Sequence, residues 1–235
     1  MPLLRPLFIV LLLLTPVYSA FSTTNGGVSL NQTRVIFAAE DKAQTLTVKN
    51  TGSQSYLIQS RIHRDQQGLG SASFIITPPL FPLGPHSTQL LRILKQDETL
   101  ATDRESLFYL SVLVIPAQKE PVSSDVRIYM GFQFMIKLLY RPQELKIAAP
   151  EASCQLRFSR TPNGFRVENP TPYFLNLGSL TFGSNTIDLN TQPSMIAPMS
   201  TEVYLALRPA AQVRWQTLTD SGGISAACQQ ALSSQ

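Results

Sequence analysis

Residues 126–142, VRIYMGFQFMIKLLYRP, decide the fold that we expect for this chain. Every even position from Val126 to Tyr140 is apolar, whereas the odd positions are mixed. A period of two places all the even side chains on one face of a β-strand. Helical spacing fits part of the stretch, but its β-branched and aromatic residues and the mid-run Gly131 favour a strand. At roughly 3.3 Å per residue the strand is about 50 Å long, so it extends beyond one domain core and exposes backbone with which another chain can pair.

Short β-like segments separated by turn residues make up the rest of the chain. The candidate strands before the long one are Val28–Phe37, Gln44–Asn50, Tyr56–Ile62, Phe74–Thr77, Gln89–Leu94 and Phe108–Ile115. Proline cannot donate to a strand ladder, so Arg141–Pro142 ends the long strand, and Gln143–Glu144 forms a linker. The candidate strands after the linker are Leu145–Ala148, Cys154–Ser159, Gly164–Asn169, Phe174–Leu177, Thr186–Leu189, Val203–Leu207, Val213–Leu218 and Ile224–Gln229. We therefore predict an all-β chain of two sandwich domains, residues 21–142 and residues 143–235.

Residues 1–20, MPLLRPLFIVLLLLTPVYSA, have the pattern of a secretory signal peptide. Arg5 supplies the positive charge, Leu7–Leu14 form the apolar core, and the small residues Ser19 and Ala20 follow. The apolar run is too short for a helix that spans a bilayer, and an uncleaved membrane anchor is the alternative. We therefore expect this segment to direct export.

Charge and cysteine content narrow the class of protein. The 19 Lys and Arg residues, one of them in the signal segment, stand against 15 Asp and Glu residues, so the chain is mildly basic and gives no reason to expect a nucleic-acid partner. The two cysteines are Cys154 and Cys228. An even, minimal number in an exported chain predicts one disulfide between them, and two separate buried thiols are the alternative.

Residues with catalytic or metal-binding chemistry are scarce in this sequence. The two histidines, His63 and His86, have no Cys, Asp or second His at a ligand spacing. No serine lies in a strand–turn–helix context, and no glycine-rich loop fits a phosphate. A Ser–His–Asp triad need not be local in sequence, so an exported hydrolase remains a minor alternative. We expect no catalytic residues, no metal, no cofactor and no small-molecule substrate.

Four parts of the chain resemble the periplasmic chaperones of the chaperone–usher pathway, which assemble pili and fimbriae on Gram-negative bacteria. They are Val28–Phe37 (VSLNQTRVIF), Phe74–Phe81 (FIITPPLF), Leu100–Tyr109 (LATDRESLFY) leading to Val114–Ala117 (VIPA), and Ile136–Pro142 (IKLLYRP). Their order behind a signal peptide makes the match specific, and it covers nearly the whole exported chain. Ser111 departs from the family, which usually has asparagine or cysteine there, and this puts one local hydrogen bond in doubt.

The resemblance implies two immunoglobulin-like sandwiches arranged as a boomerang, with a cleft between them that binds one pilus subunit. It places Arg34 and Lys137 in the cleft as the anchor of the subunit's C-terminal carboxylate. A carboxylate that leaves water needs charged donors in place of its hydration, and an arginine with a lysine supplies them. The alternative is that Arg34 and Lys137 are two separate, solvated strand residues.

The resemblance also assigns a donor strand that is lent to a subunit lacking the last strand of its own sandwich. The donor residues are Val126, Ile128, Met130 and Phe132. Residues Phe134–Leu138 are expected to face this protein's own core, and the alternative is that all the even residues do so. The short loop Ala117–Asp125 matches the short-loop class of the family, which is linked mostly to rod-like pili.

Glu105, Arg141 and Asp220 match the family's interdomain charged cluster. An arginine between two carboxylates would fix the angle between the domains, and three exposed charges of little energetic consequence are the alternative. The resemblance thus implies a periplasmic chaperone that binds pilus or fimbrial subunits and delivers them to an outer-membrane usher. An exported structural or adhesive protein is the second interpretation, and self-association of the free chaperone is left open.

Overall fold

The structure is a computed structural model that describes residues 26–68, 72–96, 99–117, 130–205 and 210–232. Within these ranges it consists of strands in two sandwiches and one short helix. The expected signal segment, the donor residues Val126 and Ile128 and all but the first residue of the loop Ala117–Asp125 lie outside the described residues. No helix in the described ranges is long and apolar enough to cross a membrane.

Strands β1 to β9 form the first sandwich. They are β1 (Val28–Leu30), β2 (Arg34–Ala38), β3 (Gln44–Asn50), β4 (Tyr56–His63), β5 (Phe74–Thr77), β6 (Leu80–Leu83), β7 (Thr88–Lys95), β8 (Ser106–Pro116) and β9 (Phe132–Arg141). One sheet has the order β1-β3-β7-β5, and the other has the order β2-β9-β8-β4-β6. Inward and outward residues alternate, as in β3, where Leu46 and Val48 are buried and Thr45 and Lys49 are exposed. The period-two pattern of the sequence therefore builds the core between the sheets.

Strand β9 is paired on both sides over only half of its length. β8 runs antiparallel to it from Phe132 to Tyr140. β2 runs parallel to it only from the pair Arg34↔Lys137 to the pair Ala38↔Arg141. Residues 132–136 of β9 therefore have a strand on one side alone, as far as the described part of the chain shows.

The second sandwich contains one helix and the strands β10 to β17. The elements are α1 (Ala149–Ala152), β10 (Arg157–Thr161), β11 (Gly164–Asn169), β12 (Leu175–Phe182), β13 (Asn185–Thr186), β14 (Met195–Ile196), β15 (Ser200–Leu205), β16 (Gln212–Thr217) and β17 (Cys228–Ala231). One sheet has the order β10-β11-β15, and the other has the order β13-β12-β16-β17, with β14 also paired to β12. Phe158 and Trp215 pack in the core with 4.7 Å between their ring centroids. The prediction of an all-β chain with two sandwiches is confirmed.

The predicted disulfide joins Cys154 to Cys228, with 5.4 Å between the two Cα atoms. Cys154 lies between α1 and β10, and Cys228 is the first residue of β17. The bridge therefore ties the last described strand of the second sandwich to the beginning of that sandwich. The prediction of a disulfide is confirmed.

The expected strand Val28–Phe37 is divided in two. β1 pairs with β3 in one sheet, whereas β2 pairs with β9 in the other. The chain changes sheets between Leu30 and Arg34, where Oδ1 of Asn31 accepts a hydrogen bond from the backbone N–H of Thr47 at 2.8 Å. A change of sheet is hard to recognise from periodicity, because each half has its own apolar residues to bury.

The prediction of one unbroken strand from Val126 to Tyr140 is wrong. Met130 and Gly131 are described but lie outside any strand, and β9 begins at Phe132. A Cβ atom on Gly131 would lie 3.1 Å from the carbonyl oxygen of Val114, so glycine allows the backbone to approach β8 closely at this point. β9 thus begins opposite Val114, two residues before β8 ends at Pro116.

Strand β6, which contains Pro82, lies between the candidate strands Phe74–Thr77 and Gln89–Leu94, where the sequence analysis expects no strand. Among the described strands, β6 lies at the edge of its sheet and pairs with β4 alone, and Pro82 lies opposite Leu57. An edge strand tolerates proline, because its outer side needs no ladder hydrogen bond. This segment can therefore be a strand because it lies at the edge of the sheet. That position depends on the whole sheet and cannot be read from the local sequence.

The segment Leu145–Ala148 is not a strand, in contrast to the expectation. Leu145 and Ile147 pack against the core of the second sandwich without joining a sheet, and α1 follows at once. The last strand begins at Cys228 instead of Ile224, and only Asn185–Thr186 form a strand near the expected Thr186–Leu189. Apolar side chains in these segments contribute to the core from irregular backbone.

We expect replacement of Cys154 and Cys228 by alanine to destabilise the second sandwich by about 4 kcal/mol, because the bridge restricts the unfolded chain. Trp215 is the single tryptophan and is buried in that sandwich, so its fluorescence reports unfolding there. Urea unfolding followed by Trp215 fluorescence measures the effect, with circular dichroism as the signal of the whole chain. Coincident fluorescence curves for the oxidised protein and the double variant would contradict the prediction.

Candidate functional site

Arg34 and Lys137 lie side by side at the point where β2 begins to pair with β9. Arg34 is 9% exposed and Lys137 is half-buried, so neither is a fully solvated strand residue. The pair is adjacent to residues 132–136, the half of β9 that has one partner strand among the described residues. The structure thus brings together the two cations that the resemblance pairs.

Burial disfavours the charged forms of both side chains. It lowers the pKa of the Arg34 guanidinium, an effect that the carboxylates of Asp220 and Glu105 oppose. Burial and the charge of Arg34 lower the pKa of the Lys137 ammonium to about 8. Nε of Arg34 is buried and has no hydrogen-bond partner within the described ranges. Two cations with so little compensation in a partly dry site attract an anion strongly.

Asn176, in β12 of the second sandwich, is a third member of this site that the sequence analysis does not name. Its Oδ1 accepts a hydrogen bond from Nζ of Lys137, which reaches across from the first sandwich. Asn176 is 2% exposed, and its Nδ2 has no hydrogen-bond partner in the described part of the chain. The only signal in the sequence is one polar residue inside the apolar run Phe174–Leu177.

Arg141 joins the two sandwiches through ion pairs with Glu105 and Asp220. Its Nε donates to Oε1 of Glu105 at 2.9 Å, and its two terminal nitrogens donate to the carboxylate of Asp220 at 2.7 and 2.9 Å. Glu105 is 3% exposed, and its Oε2 accepts a hydrogen bond from the backbone N–H of Phe174 in the second sandwich. The three expected cluster residues are therefore in direct contact and are not three separate exposed charges.

The pKa values of this cluster show how well its charges are matched. Burial raises the pKa of the Glu105 carboxyl group, while Arg141 and the Phe174 amide oppose the shift. Burial lowers the pKa of Arg141, but the hydrogen bonds and charges of Asp220 and Glu105 outweigh it, so the net pKa is raised. Arg141 is a fully compensated cation, in contrast to Arg34 and Lys137.

A glycine permits a close approach between the two sandwiches near the anchor. Gly222 has φ +83°, and a Cβ atom there would lie 2.6 Å from Oγ1 of Thr33. Thr33 immediately precedes Arg34, and Gly222 follows Asp220 in the same loop. The loop of the second sandwich that contains Gly222 therefore lies against Thr33, the residue immediately before β2.

Of the expected donor residues, the structure describes Met130, just before β9, and Phe132, at the start of β9, where the chain leaves the core. Met130 is 80% exposed, Phe132 is 44% exposed, and Phe134 is half-buried against the core. Ile136 and Leu138 are buried, as expected. The apolar face of the segment thus passes from this protein's core into solvent, and its first two expected members, Val126 and Ile128, are outside the described residues.

A serine–histidine contact in the first sandwich bears on the hydrolase alternative. Nε2 of His63 lies 2.9 Å from Oγ of Ser111, and Oγ of Ser111 also donates to the carbonyl of Arg61. Ser111 is 5% exposed, so its hydroxyl is poorly placed to meet a substrate. These contacts show that the unusual serine keeps a local hydrogen bond, and they favour a structural role for His63. The described residues contain no group of three or more potential metal ligands.

The described residues form two sandwiches with an open apolar strand edge, and beside this edge lies a cation pair, buried at Arg34 and half-buried at Lys137. These are features of a pilus assembly chaperone. Residues 27–146 match the family described as pili and flagellar-assembly chaperone, PapD N-terminal domain. Residues 151–229 match the family described as pili assembly chaperone PapD, C-terminal domain. The chain belongs to the PapD family of pili assembly chaperones.

Known proteins similar to this chain agree with that assignment. The chaperone protein FimC of Escherichia coli is 34% identical over 202 residues, which cover 85% of this chain and 82% of the relative. The chaperone protein FimB/FhaD of Bordetella pertussis is 34% identical over 206 residues, which cover 82% and 83%. A chain in the solved structure of the Salmonella enterica SafA pilin in complex with the SafB chaperone has a TM-score of 0.79 at 30% identity, with 88% of this chain and 96% of that chain covered. The Escherichia coli chaperone DraB has a TM-score of 0.77 at 31% identity, with coverage of 88% and 98%.

We expect Lys137→Met to stabilise the free protein at neutral pH by about 2 kcal/mol, because it removes a charge whose burial is unfavourable. The pKa of Lys137 is about 8 in the folded protein and lies below its ordinary value. The unfolded chain therefore binds more protons between the two values, so the stability of the wild-type protein rises as the pH increases from about 8 upward. The difference in free energy of unfolding between Lys137→Met and the wild-type protein therefore decreases over the same pH interval.

Thermal and urea unfolding at several pH values measures this effect. Lys49→Met is the control, because Lys49 is exposed on β3 and its removal leaves burial unchanged. Equal stability of Lys137→Met and Lys49→Met at neutral pH would show that Lys137 is well solvated or compensated.

Proposed function

We propose that this protein binds a pilus or fimbrial subunit, completes the subunit's sandwich with residues around the start of β9, and delivers it for assembly. The observation that carries the proposal is strand β9, which over residues 132–136 has a partner strand on one side alone in the described part of the chain. This open edge is directly followed by the pair of buried Arg34 and half-buried Lys137. An open edge offers backbone hydrogen bonds to an added strand, and a cation pair at its end fixes the register of that strand. A solved structure that contains a chain of similar fold holds the SafA pilin in complex with the SafB chaperone, which supports a subunit as the partner.

The anchor acts on the carboxylate at the end of the subunit chain. Burial first, and then the charge of Arg34, lower the pKa of Lys137, so the two cations repel one another in the free protein. A carboxylate between them replaces this repulsion by charge-assisted hydrogen bonds, which are about twice as strong as neutral ones. The binding energy of the anchor therefore depends on a free C-terminus and on both cations.

The donor residues act on the hydrophobic groove of the subunit. Met130 and Phe132 are exposed apolar side chains on the segment that leaves the core, and Val126 and Ile128 continue the same pattern in the sequence. Burying Met130 and Phe132 in a subunit contributes about 3–6 kcal/mol before the cost of ordering the segment. The chaperone thus covers apolar subunit surface that would otherwise aggregate.

The cluster of Glu105, Arg141 and Asp220 holds the two sandwiches in a relative position that keeps the anchor accessible. Its ion pairs join residues of both sandwiches. Glu105 also accepts a hydrogen bond from the backbone N–H of Phe174, the residue just before β12. Breaking a buried pair by removing one partner leaves an uncompensated charge and costs about 3–5 kcal/mol. The cluster therefore has a structural role, whereas the anchor binds the ligand.

We infer a periplasmic location, with residues 1–20 as the export signal and an outer-membrane usher as the second partner. A disulfide between Cys154 and Cys228 fits an oxidising compartment. The solved structure of the periplasmic chaperone SfaE is 33% identical and has a TM-score of 0.73, which supports the same compartment. The protein acts by stoichiometric binding and not as an enzyme.

We expect Arg34→Ala and Lys137→Ala each to abolish capture of a pilin subunit, because one cation alone leaves the carboxylate poorly solvated. Co-production with a tagged pilin subunit in the periplasm of Escherichia coli, followed by purification of the subunit, measures the amount of bound chaperone. Lys49→Ala, on exposed β3, is the control and should bind as the wild-type protein does. Recovery of a normal complex with either anchor variant would rule out the anchor.

We expect Phe132→Asp to reduce the yield of the same complex by about tenfold or more, because a charge would enter the apolar groove of the subunit. Ile75→Asp is the matched control, since Ile75 is 45% exposed and Phe132 is 44% exposed, but Ile75 lies on β5 of the other sheet. Both variants should stay soluble and folded by circular dichroism. Equal yields for the two variants would mean that Phe132 does not enter the subunit.

A further inference from the structure

Asn176 is a residue of the second sandwich that contacts the anchor in the first. The carbonyl of Asn176 accepts a hydrogen bond from the backbone N–H of Leu218 at 2.7 Å, and the residue pairs with Met195 of β14. Its backbone is therefore fixed by strands on the second sandwich. Its side chain is buried and directed to Nζ of Lys137, so the contact with Lys137 crosses from one sandwich to the other.

The contact with Lys137 determines the orientation of the Asn176 amide. A lysine ammonium has donors only, so the amide atom that faces it must be the oxygen. This orientation leaves Nδ2 buried without an acceptor within the described ranges. A buried unsatisfied donor costs about 1–3 kcal/mol, so packing alone gives no reason for an amide at this position.

The charges around Lys137 come from several elements. Arg34 on β2 repels it, and Arg34 in turn feels the carboxylates of Asp220 and Glu105. Both carboxylates are engaged by Arg141. Lys137 itself has no ion pair within the described ranges, so the neutral Oδ1 of Asn176 is its acceptor.

We propose that Asn176 is a positioning residue of the anchor, whose Oδ1 holds the Lys137 ammonium in place until a subunit carboxylate takes over that hydrogen bond. This inference rests on the proposed function. A neutral acceptor suits the role, because it supports the ammonium but binds it more weakly than a carboxylate does. The second sandwich thereby takes part in recognising the end of the subunit chain.

Three substitutions at Asn176 separate positioning from packing. Asn176→Thr keeps a side-chain oxygen of similar volume and retains function. Asn176→Leu keeps an apolar contact but removes the acceptor, so the ammonium is less well held. Asn176→Asp keeps the shape and places a competing negative charge on Lys137, which excludes the incoming carboxylate.

The probe is a fluorescent peptide of alternating valine and threonine that ends in a free carboxylate, compared with the same peptide ending in an amide. Binding is measured by fluorescence anisotropy across the neutral and mildly alkaline pH range. The wild-type protein and Asn176→Thr should prefer the carboxylate peptide to a similar extent, within about threefold. Asn176→Asp and Asn176→Leu should each reduce that preference by about tenfold.

The pH dependence gives a second readout that a packing role would not change. Preference for the carboxylate should be lost in the wild-type protein as the pH rises through the pKa of Lys137, about 8. In Asn176→Leu the preference for the carboxylate should be lost at a lower pH, because the Lys137 ammonium lacks its acceptor. In Asn176→Asp the Lys137 ammonium should lose its proton at a higher pH, because a negative charge faces it. Thermal unfolding shows that each variant is folded.

The outcomes distinguish this inference from the proposed function. If the wild-type protein binds the carboxylate and amide peptides equally, the anchor itself is wrong, and the role of Asn176 is wrong with it. If the wild-type protein prefers the carboxylate and Asn176→Leu keeps the same preference and the same pH limit, only the positioning role of Asn176 is overturned. Unchanged binding by Asn176→Asp overturns it as well.

Discussion

The parallel pairing of β2 with the second half of β9 is the constraint on which the rest of the structure depends. It places Arg34 next to Lys137, and it leaves residues 132–136 without a second strand in the described part of the chain. One pairing thus creates both the cation pair and the open edge, in a fixed relation to each other. Ile136 and Leu138, on either side of Lys137 in sequence, are buried in the core and hold the strand in position against the repulsion of the two charges.

Charge compensation separates Arg141 from the other two cations of this region, Arg34 and Lys137. Arg141 has two carboxylate partners, and their effect raises its pKa despite burial. Arg34 and Lys137 lie nearby, but burial lowers the pKa of each, and their acceptors are few. Proximity to Glu105 and Asp220 is therefore not enough to compensate the charges of Arg34 and Lys137, because Arg141 already engages both carboxylates. The same small region contains a charge-matched cluster that joins the sandwiches and a pair of cations, Arg34 and Lys137, that has no carboxylate of its own among the described residues.

Local patterns in the sequence predicted the two sandwiches well, because alternation is a property of each strand alone. They failed where a wider context decides the structure. Pro82 lies in a strand because that strand is at an edge, and Val28–Phe37 divides because its two halves join different sheets. The pairing of Arg34 with Lys137 is expected from the resemblance and not from the alternation of apolar residues. The register between two strands that are distant in sequence cannot be read from either segment alone. Asn176 was missed for the same reason, because its partner belongs to the other sandwich.

The direction of β2 has a consequence for the kind of chain that this protein accepts. A strand that adds along residues 132–136 and reaches Lys137 with its carboxyl end runs in the same direction as β9. It ends where β2 begins, so β2 occupies the path that a longer polypeptide would need. In the proposed binding mode, an internal segment with the same alternation is sterically blocked there, whereas a chain terminus fits. The chaperone's own edge strand β2 would thus act as a stop that selects for finished polypeptides.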